Sequence, residues 1–153
     1  MPTARTSKPT SDRRVYLLLL DDENRLMLCG GCCSGWTVPQ TLLGPDTDFR
    51  DGAAQHLAER FHIDSPRFGS VYGIHETREP ECWVHDHHTI SRVFIVKISS
   101  RESDLFQASS PSHTRWGIHE LKSRHQEISP EGVTLLASGY VEGWLPDGPI
   151  SLY

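Results

Sequence analysis

The stretch Trp36 to Ile63, WTVPQTLLGPDTDFRDGAAQHLAERFHI, decides the fold. It runs from a strand end through a turn-rich loop into an amphipathic helix. Phe49, Ala53, Leu57 and Phe61 recur at i, i+4 spacing and predict one apolar stripe along a helix over 49–61. Thr47 or Asp48 can cap its start, and Asp48 and Asp51 place negative charge at the positive end of the helix dipole. Gln55, His56, Glu59 and Arg60 gather on the opposite face. Spacing alone leaves that face open to two readings, a solvated surface or an active-site platform.

Working outward, 153 residues suffice for one domain with a real core. Fifteen basic against twenty acidic residues give a net charge of −5, which argues against nucleic-acid binding by bulk charge. No apolar run reaches transmembrane length, and the opening MPTARTSKPTSDRR lacks the apolar core of a signal peptide, so a soluble cytoplasmic chain without membrane contact is expected. Cys29 and Cys32 have C-x-x-C spacing, but Cys33 crowds them and Cys82 stands alone. That crowding argues against a zinc or redox site, and in a cytosolic chain of this length a disulfide framework is not expected.

Residues 1–12 are rich in Pro, Ser, Thr and basic residues and predict a loosely attached tail, followed by a single domain over 13–153. Arg14–Leu20 and Arg25–Cys29 predict a hairpin around the turn residues Asp21 to Asn24. Trp36-Thr37-Val38 reads as a short strand stopped by Pro39. Phe68–Glu76 alternates as a strand, Thr77–Glu81 reads as a charged turn, and His88–Ile98 is the strongest strand, its apolar centre suited to cover on both faces. Ser99–His113 reads as a long polar loop and Arg115–Gly117 as a last short strand. Ile118–His125 predicts a helical turn or two, and Pro130–Leu145 a closing helix capped by Ser129. Ile150–Tyr153 reads as a tail. A mixed sheet with helices on both faces accommodates this order.

The order and the central stretch resemble the Nudix hydrolase superfamily, whose signature is G-x5-E-x7-R-E-U-x-E-E-x-G-U with U aliphatic, commonly after a W-x-x-P strand end. Trp36-Thr37-Val38-Pro39 supplies the lead-in. The signature then falls ungapped on Thr41 for the first Gly, Thr47 for the first Glu, Gln55-His56 for Arg-Glu, and Leu57 for the first aliphatic. Glu59-Arg60 stands for Glu-Glu, His62 for the second Gly and Ile63 for the last aliphatic. The resemblance spans roughly residues 14 to 145 and implies a Nudix-like α/β/α sandwich with a mixed β-sheet. It also implies action on, or binding of, a nucleoside-diphosphate-like or other phosphorylated small molecule. Mg or Mn is the implied cofactor, and a homodimer is common in the family.

In the family the box glutamates bind the metal that bridges the diphosphate. Here Thr47, His56, Glu59 and Arg60 fill the four acidic positions, which leaves Glu59 as the expected metal ligand and argues against Mg-dependent hydrolysis of the family type. Arg60 would set a permanent cation where a dication should sit. Two residue sets offer substitutes. His56 and Glu59, with the segment His85-Asp86-His87-His88, suit a His/carboxylate site for zinc or iron, or a solvated loop. Arg60 and Arg115 suit direct binding of phosphate oxygens, or surface ion pairs. Gln55 and a stacking Trp83 complete the expected ligand-binding set, with Glu59 and His56 as catalytic candidates. A non-catalytic binding protein and a non-hydrolytic His/Glu reaction stand as alternatives.

Overall fold

A computed structural model describes residues 10–30, 35–81, 85–130, 132–146 and 148–151. Nine strands form one mixed sheet among these residues, in the order β8-β3-β2-β1-β6-β5-β9, with β4 paired to β1 and β7 to β2. In chain order these are β1 (Thr10–Leu20), β2 (Leu26–Gly30), β3 (Trp36–Thr37), β4 (Gln40–Leu43), β5 (Arg67–Glu81), β6 (His85–Lys97), β7 (His113–Trp116), β8 (Ile128–Ser129) and β9 (Gly148–Ser151). The helices are α1 (Phe49–Phe61), α2 (Ser100–Ser109), α3 (Ile118–Ser123) and α4 (Val133–Glu142), with a 3-10 turn at His125–Glu127.

The parity of β1 builds the sandwich. Successive side chains of a strand point to opposite faces. Val15, Leu17 and Leu19 join one core with Ala53 and Leu57 of α1, Phe106 of α2, and Phe94 and Val96 of β6. Leu18 and Leu20 join the other with Leu136 and Ala137 of α4, Leu121 of α3, and Val93 and Ile95 of β6. The leucine run 17–20 is fully buried because helices cover both faces. Along one edge β1 pairs in parallel with β6 from Thr10 to Leu20. Its other edge takes β4 over Arg13–Tyr16 and then β2 at Leu20, the expected hairpin. No helix among the described residues is long and apolar enough to cross a membrane.

Several boundaries differ from those expected. β1 begins at Thr10, so the last three residues of the supposed tail belong to the sheet, paired with His87, His88 and Thr89. The supposed turn Thr77–Glu81 is strand, and so is His85–His88. The two run as one long antiparallel ladder, in which regular backbone pairing overrides the turn composition. The supposed loop 99–113 contains α2. Its start is a capping box, in which Ser99 accepts from the Glu102 N–H and Glu102 accepts from the Ser99 N–H. The closing helix starts at Val133 rather than Pro130, because Ser129 lies extended in β8 opposite Thr37 and does not cap it. The expected C-terminal tail holds β9, parallel to β5.

Helix α1 has the boundaries its periodicity predicts. Asp48 is its cap, accepting from the N–H groups of Arg50 and Asp51 at 3.1 and 3.2 Å. Ala53 and Leu57 are fully buried, with Phe49 and Phe61 half-buried beside them. The helix ends at His62, whose φ of 59° is left-handed. This is where the resembling signature has glycine, the residue that adopts that backbone most readily.

Candidate functional site

The face of α1 that carries Gln55, His56 and Glu59 looks onto β4 and the turn after it. Between them lies a groove of 260 Å³, lined by Thr41, Leu42, Leu43, Gly44, Thr47, Gly52, Gln55, His56 and Glu59. Local sequence explains its shape. Pro39 ends the lead-in, and its carbonyl accepts from the Leu17 N–H at 2.8 Å, which seats β4 against β1. Arg14 donates to the Gln40 side chain at 2.6 Å, and Gln40 donates to Thr37 at 2.9 Å. Gly52 is buried where α1 crosses β4, and a Cβ there would collide with Leu43 Cδ2. The missing side chain lets the helix approach closely enough to form the groove.

Arg13 holds the turn. Its Nη1 donates to the carbonyls of Gly44, Pro45 and Thr47 at 2.7, 3.2 and 2.6 Å. Its guanidinium also lies 4.2 Å from the centre of the Phe49 ring, with that of Arg92 at 4.8 Å. Sequence reading missed Arg13. The available signal was a basic residue in register with Val15, Leu17 and Leu19 and therefore directed to the α1 face.

Three expected site residues meet in this groove. The Gln55 amide donates to the Glu59 carboxylate at 2.9 Å. His56, half-buried, sets its ring edge-on to Phe61, with centroids 5.7 Å apart. Burial lowers the His56 pKa and Arg60 lowers it further against the opposing pull of Glu59, so the imidazole is held towards its neutral form. Thr41 and Thr47, at the first Gly and first Glu of the signature, line the same groove.

The arginines go elsewhere. Arg60 lines a separate cavity of 380 Å³ towards α2, with Phe61, His62, Ile98 and Phe106. Arg115 donates to Asp104 at 2.7 Å and to Ser103 at 3.1 Å, both on α2. Arg115 is thus engaged by α2, and it does not line the cavity that Arg60 lines. Trp83 lies outside the described residues, as do Cys32, Cys33, Cys82 and the side chains of His85–His88. Cys29 is half-buried, and burial pushes its thiol up to about 11 against a smaller opposing effect of Arg60. That disfavours the thiolate a metal or redox site would use.

The family's metal is tested by the donor set. Mg takes hard oxygen ligands, typically one or two carboxylates plus substrate oxygens and water, and the family's centre draws them from several box glutamates. Of the groove-lining residues only Glu59 carries a carboxylate, and that group already accepts from Gln55. Among the described residues no group of three or more His, Cys, Asp or Glu is arranged to hold a metal ion. The described residues do not fit the family's metal centre.

Neither a protein-family model nor a curated protein matches the chain in sequence. Solved structures do match in shape. A mutT/nudix family protein from Listeria innocua superposes with a TM-score of 0.60 at 10% identity, covering 88% of this chain and 94% of its own. The dihydroneopterin triphosphate pyrophosphohydrolase of E. coli does so with a TM-score of 0.60 at 8% identity, covering 86% and 95%. Shewanella oneidensis NrtR, solved in complex with a 27mer DNA, matches at 0.59 and 13% identity, covering 85% of this chain and 60% of its own. Element order, the W-x-x-P lead-in and these superpositions agree, and the chain has the Nudix fold.

Proposed function

We propose that the groove between α1 and β4 binds a phosphorylated small molecule, such as a nucleoside-diphosphate derivative, without the metal cluster of the fold's hydrolases. One observation carries this reading. The groove keeps its place on the Nudix helix but presents hydroxyl, amide and imidazole groups from Thr41, Thr47, Gln55 and His56 around a single carboxylate. Neutral donors of this kind hydrogen-bond phosphate oxygens directly, whereas a dication would find one carboxylate to hold it. The chain's net charge of −5 supports a small ligand over a nucleic acid.

A thermal-shift screen with ADP-ribose, ADP-glucose and diadenosine tetraphosphate, in EDTA, tests this. Stabilisation that persists in EDTA and disappears in Q55A and H56A supports it. No stabilisation by any of the three overturns it. Phosphate release that requires Mg2+ or Mn2+ and is lost in E59Q overturns the metal-free part.

A second reading rests on His56 and Glu59 together. A half-buried imidazole held towards neutrality, lining the same groove as a carboxylate one turn along, suits general acid–base chemistry on a bound ligand. Turnover that survives a chelator and collapses in H56A supports this reading; turnover unchanged in H56A overturns it.

A further inference from the structure

A larger cavity, 870 Å³, opens on the other side of the sheet, between α4 and the segment formed by α3 and the 3-10 turn. We propose that it is a binding site for a planar, uncharged heteroaromatic molecule that stacks on Trp144. The volume falls in the range of sites for small organic ligands, about 300–1,000 Å³. The site is separate from the α1 groove and does not rest on the function proposed for it. Val133, Leu136 and Ala137 of α4 pack in one core, and Ala53 and Leu57 of α1 in the other, on opposite faces of the sheet.

The indole is both exposed and fixed. Trp144 is 54% exposed and, together with the exposed Leu135, lines the cavity. Gly143, with φ at 76°, turns the chain back at the end of α4, and the Trp144 N–H donates to the Gly139 carbonyl at 3.1 Å. The ring then lies on Gly139, where a Cβ would stand 2.8 Å from Trp144 Cζ2 and 3.0 Å from Cη2. A ring held by its backbone turn and by the close approach to Gly139 gives a stacking surface with little ordering entropy left to lose on binding.

The remaining lining selects the ligand's chemistry. Leu135, 61% exposed, adds apolar surface. Lys122 and Glu142 bond each other at 2.7 Å, so this opposed pair satisfies itself and leaves no unmatched fixed charge to recruit an ion. Thr134 is only 8% exposed, and its hydroxyl is the one buried side-chain polar atom without a partner among the described residues. Thr134 lines the cavity, and a hydroxyl without a partner there can donate to a ligand carbonyl or ring nitrogen. A flat ring with such an edge satisfies both groups together.

Titration of the 15N-labelled protein with adenosine, caffeine and 2-quinolone tests the proposal. At least one should move the Trp144 indole and Thr134 amide resonances saturably, with a Kd below about 1 mM. W144A should weaken that binding about tenfold, and W144F should restore most of it. T134V should weaken it roughly 2- to 12-fold, the worth of one hydrogen bond. E59Q, on the other face of the sheet, should leave it unchanged. No saturable shift with any of the three probes, or equal affinity in W144A, overturns the proposal.

Discussion

The Gln55 amide and the Glu59 carboxylate are joined by a 2.9 Å hydrogen bond along α1, within the groove that Arg60 does not line. The acidic-box position at 56 therefore belongs to the groove and the one at 60 to another cavity. Restoring acid at each should have unequal effects. H56E places a second carboxylate beside Glu59 and should give a thermal stabilisation by Mn2+ that the parent chain lacks. R60E should give none. Equal responses in a metal titration would show that both residues share one site.

Asp21 is a buried junction. Its carboxylate accepts from the N–H groups of Glu23 and Arg25, from the Arg25 side chain at 2.9 Å and from the Ser103 hydroxyl at 2.7 Å. It ties the β1–β2 turn to α2. D21A should cost about 3 kcal/mol and S103A about 1 kcal/mol in chemical denaturation. Burial pushes the Asp21 carboxyl up, but the hydrogen bonds from Arg25, Ser103 and Glu23 outweigh it and hold the pKa below its ordinary 3.8. A depressed folded-state pKa gives stability that is present above the unfolded value and lost as pH falls through the lower folded value. D21N should flatten that acid limb.

His56 adds a milder dependence. Its folded pKa lies below the ordinary 6.5, chiefly through burial. The unfolded chain therefore takes up a proton before the folded chain does. Stability from this residue is complete above about 6.5 and declines as pH falls through that value towards the lower folded pKa. Unfolding curves between about pH 7.5 and 5 should show this decline in the parent and a shallower one in H56Q.

His62 occupies a left-handed backbone at the end of α1. Glycine takes that conformation without the Cβ penalty, so H62G should stabilise the chain by about 0.5–1 kcal/mol, read as a rise in Tm. A loss of stability instead would mean that the His62 side chain contributes more than its backbone costs.

T134V removes the buried hydroxyl that has no partner. The free protein should gain about 1 kcal/mol, because a desolvated, unsatisfied group is lost and no hydrogen bond with it. The same substitution should weaken ligand binding in the α4 cavity.

Where the sequence was legible, the physics was local and periodic. The i, i+4 stripe from Phe49 to Phe61 and the Asp48 cap set both ends of α1, and the leucine run of β1 announced a strand covered on both faces. α2 was missed although its Ser99–Glu102 capping box is a local signal, because only Ser103 and Phe106 of it are buried and its polar face read as loop. The β5–β6 ladder was cut short because Thr77–Glu81 has turn composition, which hid its pairing with His85–Thr89 just along the chain. Helix register put Gln55, His56 and Glu59 on one face, and the family resemblance, not spacing, singled that face out as a candidate site. The destinations of Arg60 and Arg115 depended on where α2 packs, which one-dimensional spacing does not encode.

Arg13 grips three carbonyls of the turn at 44–47 from the first strand of the sheet. The groove is thus assembled from two parts of different origin: a helix that capping and periodicity specify by themselves, and a wall whose shape is dictated from more than thirty residues upstream. A chain whose α1 is formed but whose N-terminal segment is unpaired would carry every groove side chain on the helix and still lack the groove. The groove is then complete only once β1 has docked, and proteolysis ahead of Val15 would reshape it by removing the Arg13 grip on the turn.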